Sequence, residues 1–207
     1  MKRFLLTIGL CAASLTAYAA DQSRQLPAFD SIRSDTAFNV SVEVGKAQSV
    51  TIKGSERFQN QISTEVIGNE LVISLKGKKI INVSDESQVV VTVPQLKRMR
   101  SEGAGMVKIS NINSPDFRID YEGVGLLVAS GKTQSLYLSA QGIGMVDTKD
   151  LIADQVDARV DGIGSVNVYA KDKLEASVHG IGSLTYFGNP RNLSKSVDGI
   201  GSIRAGK

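Results

Sequence analysis

A triplet of glycine, an aliphatic residue and glycine occurs six times: Gly103-Ala104-Gly105, Gly123-Val124-Gly125, Gly142-Ile143-Gly144, Gly162-Ile163-Gly164, Gly180-Ile181-Gly182 and Gly199-Ile200-Gly201. Successive copies begin 20, 19, 20, 18 and 19 residues apart. A fixed period restricts the fold more than composition does, because each repeat buries its apolar face only by stacking on its neighbours. This period is too short for two packed helices. It accommodates two strands and two turns, which is one coil of a β-solenoid.

Counting from the first glycine of each triplet exposes the strands. Four residues on lie Val107, Leu127, Val146, Val166, Leu184 and Ile203, and six on lie Ile109, Ala129, Thr148, Val168, Tyr186 and Ala205. Two residues before the triplet lie Ser101, Tyr121, Ala140, Val160, Val178 and Val197, and four before lie Met99, Ile119, Leu138, Ala158, Ala176 and Lys195. These columns alternate with period two, so each coil has two strands with an inner, mostly apolar face. The residue just before each triplet is polar in every copy (Glu102, Glu122, Gln141, Asp161, His179 and Asp198), as an outward position requires.

Twelve of the 20 glycines lie in the triplets and are the expected corner residues. A chain that leaves one sheet and enters the next within three residues needs positive φ or close backbone approach, and glycine supplies both without a Cβ. A dinucleotide-binding loop would need a third glycine, a following helix and normally a single copy. The middle residues, Ala104 to Ile200, are out of phase with the inner columns, and the corner is expected to rotate them inward; otherwise they would form an exposed apolar ridge. The position three after the first glycine reads Met106, Leu126, Met145, Ser165, Ser183 and Ser202. Its apolar half is expected to lie beneath the N-terminal strands, whose own apolar faces also need burial.

Residues 28–100 read as an irregular β-rich part preceding the six coils of residues 101–205, all within one domain spanning 20–207. Strands are expected at Asn39 to Val44, Val50 to Lys53, Ile62 to Ile67, Leu71 to Lys76 and Val89 to Val93, with Gly68-Asn69-Glu70 as a hairpin connection. No segment after residue 19 shows helical periodicity.

The N-terminus reads as a targeting segment. Met1-Lys2-Arg3 is basic, Phe4 to Leu15 is apolar, and Ala17-Tyr18-Ala19 is a small-x-small cleavage pattern, so residues 1–19 are expected to be a signal peptide. The apolar run is shorter than the ~20 residues a bilayer requires, and Leu10 before Cys11 argues against lipidation. Cleavage would remove the single Cys, and with it any disulfide or thiol chemistry. It would also remove Lys2 and Arg3, leaving 22 basic against 21 acidic residues. That balance gives no polyanion-binding field, and nucleic acid is excluded as a partner. The one dense basic cluster, Lys97, Arg98 and Arg100, reads as a solvated strand end.

In order, Phe29-Asp30-Ser31-Ile32, Phe38-Asn39-Val40-Ser41-Val42, Val50-Thr51-Ile52-Lys53-Gly54, Leu71-Val72-Ile73, Val89-Val90-Val91-Thr92-Val93-Pro94 and the Gly-x-Gly repeats resemble a bacterial family, the auto-transporter adhesin head or GIN domain, over about residues 28 to 205. Ala104 and Val124 depart mildly from the Ile of the later corners. The resemblance implies an exported all-β chain wound as a right-handed β-solenoid, similar to the β-helix of pectin lyases but lacking their catalytic residues. It implies work in adhesion or at the envelope, and it brings no site residue to this chain.

An enzyme on such a scaffold would need clustered carboxylates, or a base beside Arg or Lys. Glu102, Glu122, Asp161 and Asp198 share one column, where Glu102 and Glu122 would be neighbours and Asp161 and Asp198 would lie about two coils apart. A solvated polar face accounts for them equally well. His179 is the single His and reads as a surface residue, without a second His at ligand spacing. The sequence therefore points to a non-catalytic envelope protein in the periplasm or on the outer surface of a Gram-negative bacterium, needing no metal or cofactor. Its partner would be an envelope protein or a glycan, with a carbohydrate-binding or carbohydrate-active β-helix as the alternative. After cleavage no transmembrane segment is expected. Lys195, Arg204 and Lys207 near the uncovered last strand favour a monomer over an end-to-end dimer.

Overall fold

The computed structural model describes residues 21–77 and 87–207; the expected signal peptide, with Cys11, lies outside the described residues. In chain order the elements are β1 (Gln22–Arg24), β2 (Ser31–Thr36), β3 (Asn39–Val44), β4 (Ser49–Lys53), α1 (Glu56–Gln61), β5 (Ile62–Ile67), β6 (Glu70–Leu75), β7 (Gln88–Val93), β8 (Arg98–Gly103), β9 (Met106–Gly180), β10 (Ser183–Phe187), β11 (Asn192–Gly199) and β12 (Ser202–Ala205). The fold is all-β, and its strands join in one sheet that is nearly closed around a single apolar core running from Phe29 to Leu184.

β9 is 75 residues of extended backbone. Laid straight it would span roughly 250 Å, yet residues about one repeat apart touch. The Thr148 hydroxyl donates to the Asn167 carbonyl at 2.8 Å, and a Cβ on Gly162 would stand 2.5 Å from the Gly142 carbonyl oxygen. The run is thus wound on itself at the period of the triplets. Its ends continue the same parallel register: Ser101 in β8 lies opposite Tyr121, Val166 opposite Leu184 in β10, and Val178 opposite Val197 in β11.

Strands break at the first, fifth and sixth triplets and run on through the second, third and fourth. The residue two before the triplet points inward and the one just before it outward. The middle residue takes the outward phase and the column four residues on is inward again, while the first glycine is exposed at Gly103, Gly142 and Gly180. Met99, Ile119, Ala158, Val146, Leu127 and Val168 are all buried. The glycines stack on the glycines of the preceding repeat, Gly123 on Gly103 and Gly162 on Gly142.

Residues 28–100 are less irregular than their sequence suggests. β2 pairs in parallel with β8, placing Ile32 opposite Met99, and β3 pairs in parallel with β9, placing Val40 opposite Val107. Together they form a further layer beneath the first triplet, and its corner carries no Gly-x-Gly. The Phe38 backbone lies where a Cβ on Gly105 would be. β6 and β7 extend this layer in parallel, and the antiparallel strands β5, β4 and β1 close that end. β5 and β6 meet at the expected hairpin, with Ile67 opposite Glu70 and Gly68 at φ +65°.

The expectation of no helix fails at α1. Ser55 caps it by accepting from the Phe58 amide at 3.3 Å, Glu56 sits in its first turn, and Phe58 is fully buried edge-on to Phe38 at 5.2 Å between ring centres. Six residues show too little periodicity to be read from sequence. The opposite end of the molecule is open: β11 is exposed along its whole length, and Leu193 and Val197, in register with buried Leu174 and Val178, are left uncovered in the last layer. No helix among the described residues is long and apolar enough to cross a membrane.

Candidate functional site

Three surfaces carry chemistry. The first is the polar column ahead of the triplets, where parallel register brings neighbours together. Glu102 lies opposite Glu122, Asp198 opposite His179, and His179 Nδ1 stands 3.2 Å from Asp161 Oδ1. At its N-terminal end Glu102 and Glu122 share a polar depression of about 290 Å³ with Arg98, Arg100 and Asp120. Beyond it the column is solvated, with the His179 and Asp161 side chains about half exposed. Among the described residues no group of three or more His, Cys, Asp or Glu side chains could hold a metal ion.

The basic cluster is largely neutralised. Lys97 Nζ meets Asp30 at 2.5 Å, and Arg98 Nε donates to Asp120 at 2.7 Å. Asp30 also accepts from Ser31 Oγ at 3.0 Å and from Asn69 Nδ2 at 2.5 Å. Burial pushes its carboxyl up, but these hydrogen bonds and the Lys97 charge outweigh burial and hold it below the ordinary carboxylate value.

The second surface overturns an expectation. The middle corner residues do not rotate inward: Val124, Ile143, Ile163 and Ile181 are each more than half exposed, and Ile200 is 85% exposed. Counted with period two from the buried column four residues after the first glycine, the middle residue falls in the outward phase. The N-terminal strands do not cover the adjoining column either. Met106 and Met145 are exposed, because β2 and β3 stack beneath the first coil rather than over its flank. An aliphatic ridge therefore runs along the corner, flanked by Met106, Leu126 and Met145 on one side and the acidic column on the other.

The corner glycines have two separate physical reasons. At Gly162, φ is +135° and an added Cβ would stand 2.5 Å from the Gly142 carbonyl oxygen. Gly164 needs no positive φ, and an added Cβ there would stand 2.6 Å from the Gly144 carbonyl oxygen, so it is glycine for space alone. At Gly144 the space is also taken by the Tyr121 hydroxyl.

The third surface was not anticipated. A cavity of about 520 Å³ opens over buried Leu96 and Phe117, with Arg118 and Tyr137 on its wall. The Arg118 guanidinium lies 5.1 Å from the centre of the Tyr137 ring. The signal was available in the column five residues before each triplet, which reads Arg98, Arg118, Tyr137, Asp157, Glu175 and Ser194. It is an outward column, and its single aromatic marks the site.

Comparison with known proteins follows from this geometry. Residues 28–190 match the family model described as "Putative auto-transporter adhesin, head GIN domain". The chain belongs to this family. A solved structure described as a putative adhesin from Bacteroides fragilis is similar at a TM-score of 0.74 and 25% identity, covering 90% of this chain and 96% of that one. A second, described as a putative adhesin from Parabacteroides merdae, is similar at a TM-score of 0.55 and 16% identity over 91% of this chain and 96% of that one, and it shares the fold. A third, described as a putative lipid binding protein from Parabacteroides distasonis, has a TM-score of 0.49 and 21% identity over 91% and 96% of the two chains. No curated protein matches the sequence.

Proposed function

We propose that this GIN-domain chain is an exported, non-catalytic envelope module that binds a partner protein through the aliphatic corner ridge, with its coils wound as a right-handed β-solenoid. The observation that carries the reading is the ridge itself. Five large aliphatic side chains stand exposed in one line, at the ~4.8 Å spacing of stacked strands. Soluble proteins rarely leave so regular an apolar line uncovered unless it meets something. Glu102, Glu122, Asp161 and Asp198 border the line, so a partner with a basic rim around an apolar strip fits it. Export is supported by the N-terminal segment and by the family, and adhesion by the Bacteroides fragilis structure's description.

The experiment is co-sedimentation of the purified chain with isolated bacterial envelopes, wild type against Ile163→Asp combined with Ile181→Asp. Both positions are exposed, so folding should persist. Loss of about tenfold in retained protein, equivalent to ~1.4 kcal/mol, with an unchanged melting temperature is expected. Equal retention of the variant would reject the ridge as the contact.

A further inference from the structure

We infer that the Tyr137 groove is a binding site for a neutral, linear oligosaccharide. It lies on the outer face of the strands ahead of the corner, on a different surface from the ridge. The inference is independent of the ridge reading.

Size and direction come first. The 520 Å³ cavity lies within the range of small-molecule sites. It shares Tyr137 with a second hollow of about 120 Å³, lined by Gln155, Asp157, Lys173 and Glu175. Together they run across the stack from the coil of Gln95 to the coil of Lys173. That is roughly 19 Å at the spacing of stacked strands, room for about four sugar rings end to end.

The chemistry selects the ligand class. Tyr137 is 39% exposed, and with the exposed Pro115 it offers apolar surface on which the C–H face of a sugar ring packs, over a floor of fully buried Leu96 and Phe117. Around it are polar side chains that the protein leaves to solvent. Among the described residues Gln95, Asn113, Asp116 and Gln155 have no hydrogen-bond or ion-pair partner, and the Ser114 hydroxyl is buried without one. Amides, a hydroxyl and one carboxylate both donate and accept, as a row of sugar hydroxyls requires.

Charge argues against an anionic ligand. Lys97 and Arg98 are held by Asp30 and Asp120, Lys173 is paired with Glu175 at 3.4 Å, and Arg118 is stacked on Tyr137 while Asp116 adds a negative charge. A peptide strand is disfavoured because the groove crosses strands already paired on both sides, leaving no free edge for main-chain hydrogen bonds.

Isothermal titration of the full chain with cellotetraose, xylotetraose and chitotetraose tests this, with tetragalacturonate and phosphatidylglycerol vesicles as separate arms. At least one neutral tetraose should bind, more tightly than its disaccharide. Tyr137→Ala should weaken it about tenfold, ~1.4 kcal/mol, without lowering the melting temperature, and Tyr137→Phe should keep it within about twofold. Ile163→Asp should leave sugar binding intact, separating this site from the ridge. Failure of all three neutral sugars at millimolar concentration would overturn the inference. So would a salt-sensitive preference for tetragalacturonate or vesicles, or wild-type binding by Tyr137→Ala.

Discussion

Replacing Gly162, Gly164 and Gly45 one at a time by Ala separates the two reasons a corner needs glycine. Gly45 has φ +91° with nothing within 4 Å of an added Cβ, so alanine there meets only backbone strain. Gly164 is not at positive φ and meets only crowding, with the Gly144 carbonyl oxygen 2.6 Å from the new carbon. Gly162 meets both, at φ +135° and 2.5 Å from the Gly142 carbonyl oxygen. A non-glycine residue in a sparsely populated backbone region costs about 1–3 kcal/mol. Overpacking a fixed interior costs about 1–3 kcal/mol more, and the smaller entropy of the unfolded alanine chain offsets about 0.4–1 kcal/mol. The net expectation is ~2–4 kcal/mol at Gly162 and about 1–2 kcal/mol at each of the others. For a domain of this size 1 kcal/mol moves Tm by about 2–4 °C, so Gly162→Ala should melt roughly 5–15 °C lower. Circular dichroism melts and urea titrations on the three variants measure this directly. A Gly162→Ala loss no larger than that of Gly45→Ala would refute the claim that stacked glycine backbones leave no room for a Cβ.

Three further outcomes are expected. Asp30→Asn should lose about 1 kcal/mol near neutral pH, since charged hydrogen bonds from Ser31, Asn69 and Lys97 are broken or weakened. Because the folded carboxyl titrates below its ordinary value of 3.8, its stabilisation is complete above that pH and fades as pH falls through the folded value; a wild-type advantage that persisted unchanged into strong acid would contradict this. His179→Ala, at an exposed position beside Asp161, should move Tm by less than about 2 °C, as surface substitutions usually do, and a large loss would assign the residue a structural or chemical role. Light scattering at moderate salt should find a monomer, because Lys195, Arg204 and Lys207 repel a second copy at the open edge of β11 and β12; a stable dimer that dissociates in Ile203→Lys would show the opposite.

The parts of the structure legible in the sequence are those set by local geometry. Alternation places Leu127, Val146 and Val166 inside and Glu122 and Asp161 outside, because successive side chains in extended backbone point to opposite faces wherever the chain goes. The glycine period likewise marks strands that pair in parallel about one repeat apart, as Ser101 does with Tyr121 and Val178 with Val197. Whether the corner turns Ile163 inward was beyond local pattern. It depended on how the chain passes the triplet in the folded stack, where Ile163 stands 52% exposed. The layer formed by β2 and β3 was hidden for a related reason. Thr36 lies opposite Gly103, 67 residues away, and no local periodicity encodes a register over that distance. The Tyr137 groove required both kinds of information. The outward phase of Tyr137 follows from its strand, whereas its Arg118 neighbour, its floor of Leu96 and Phe117 and its length come from layers far apart in sequence that only the folded stack brings together.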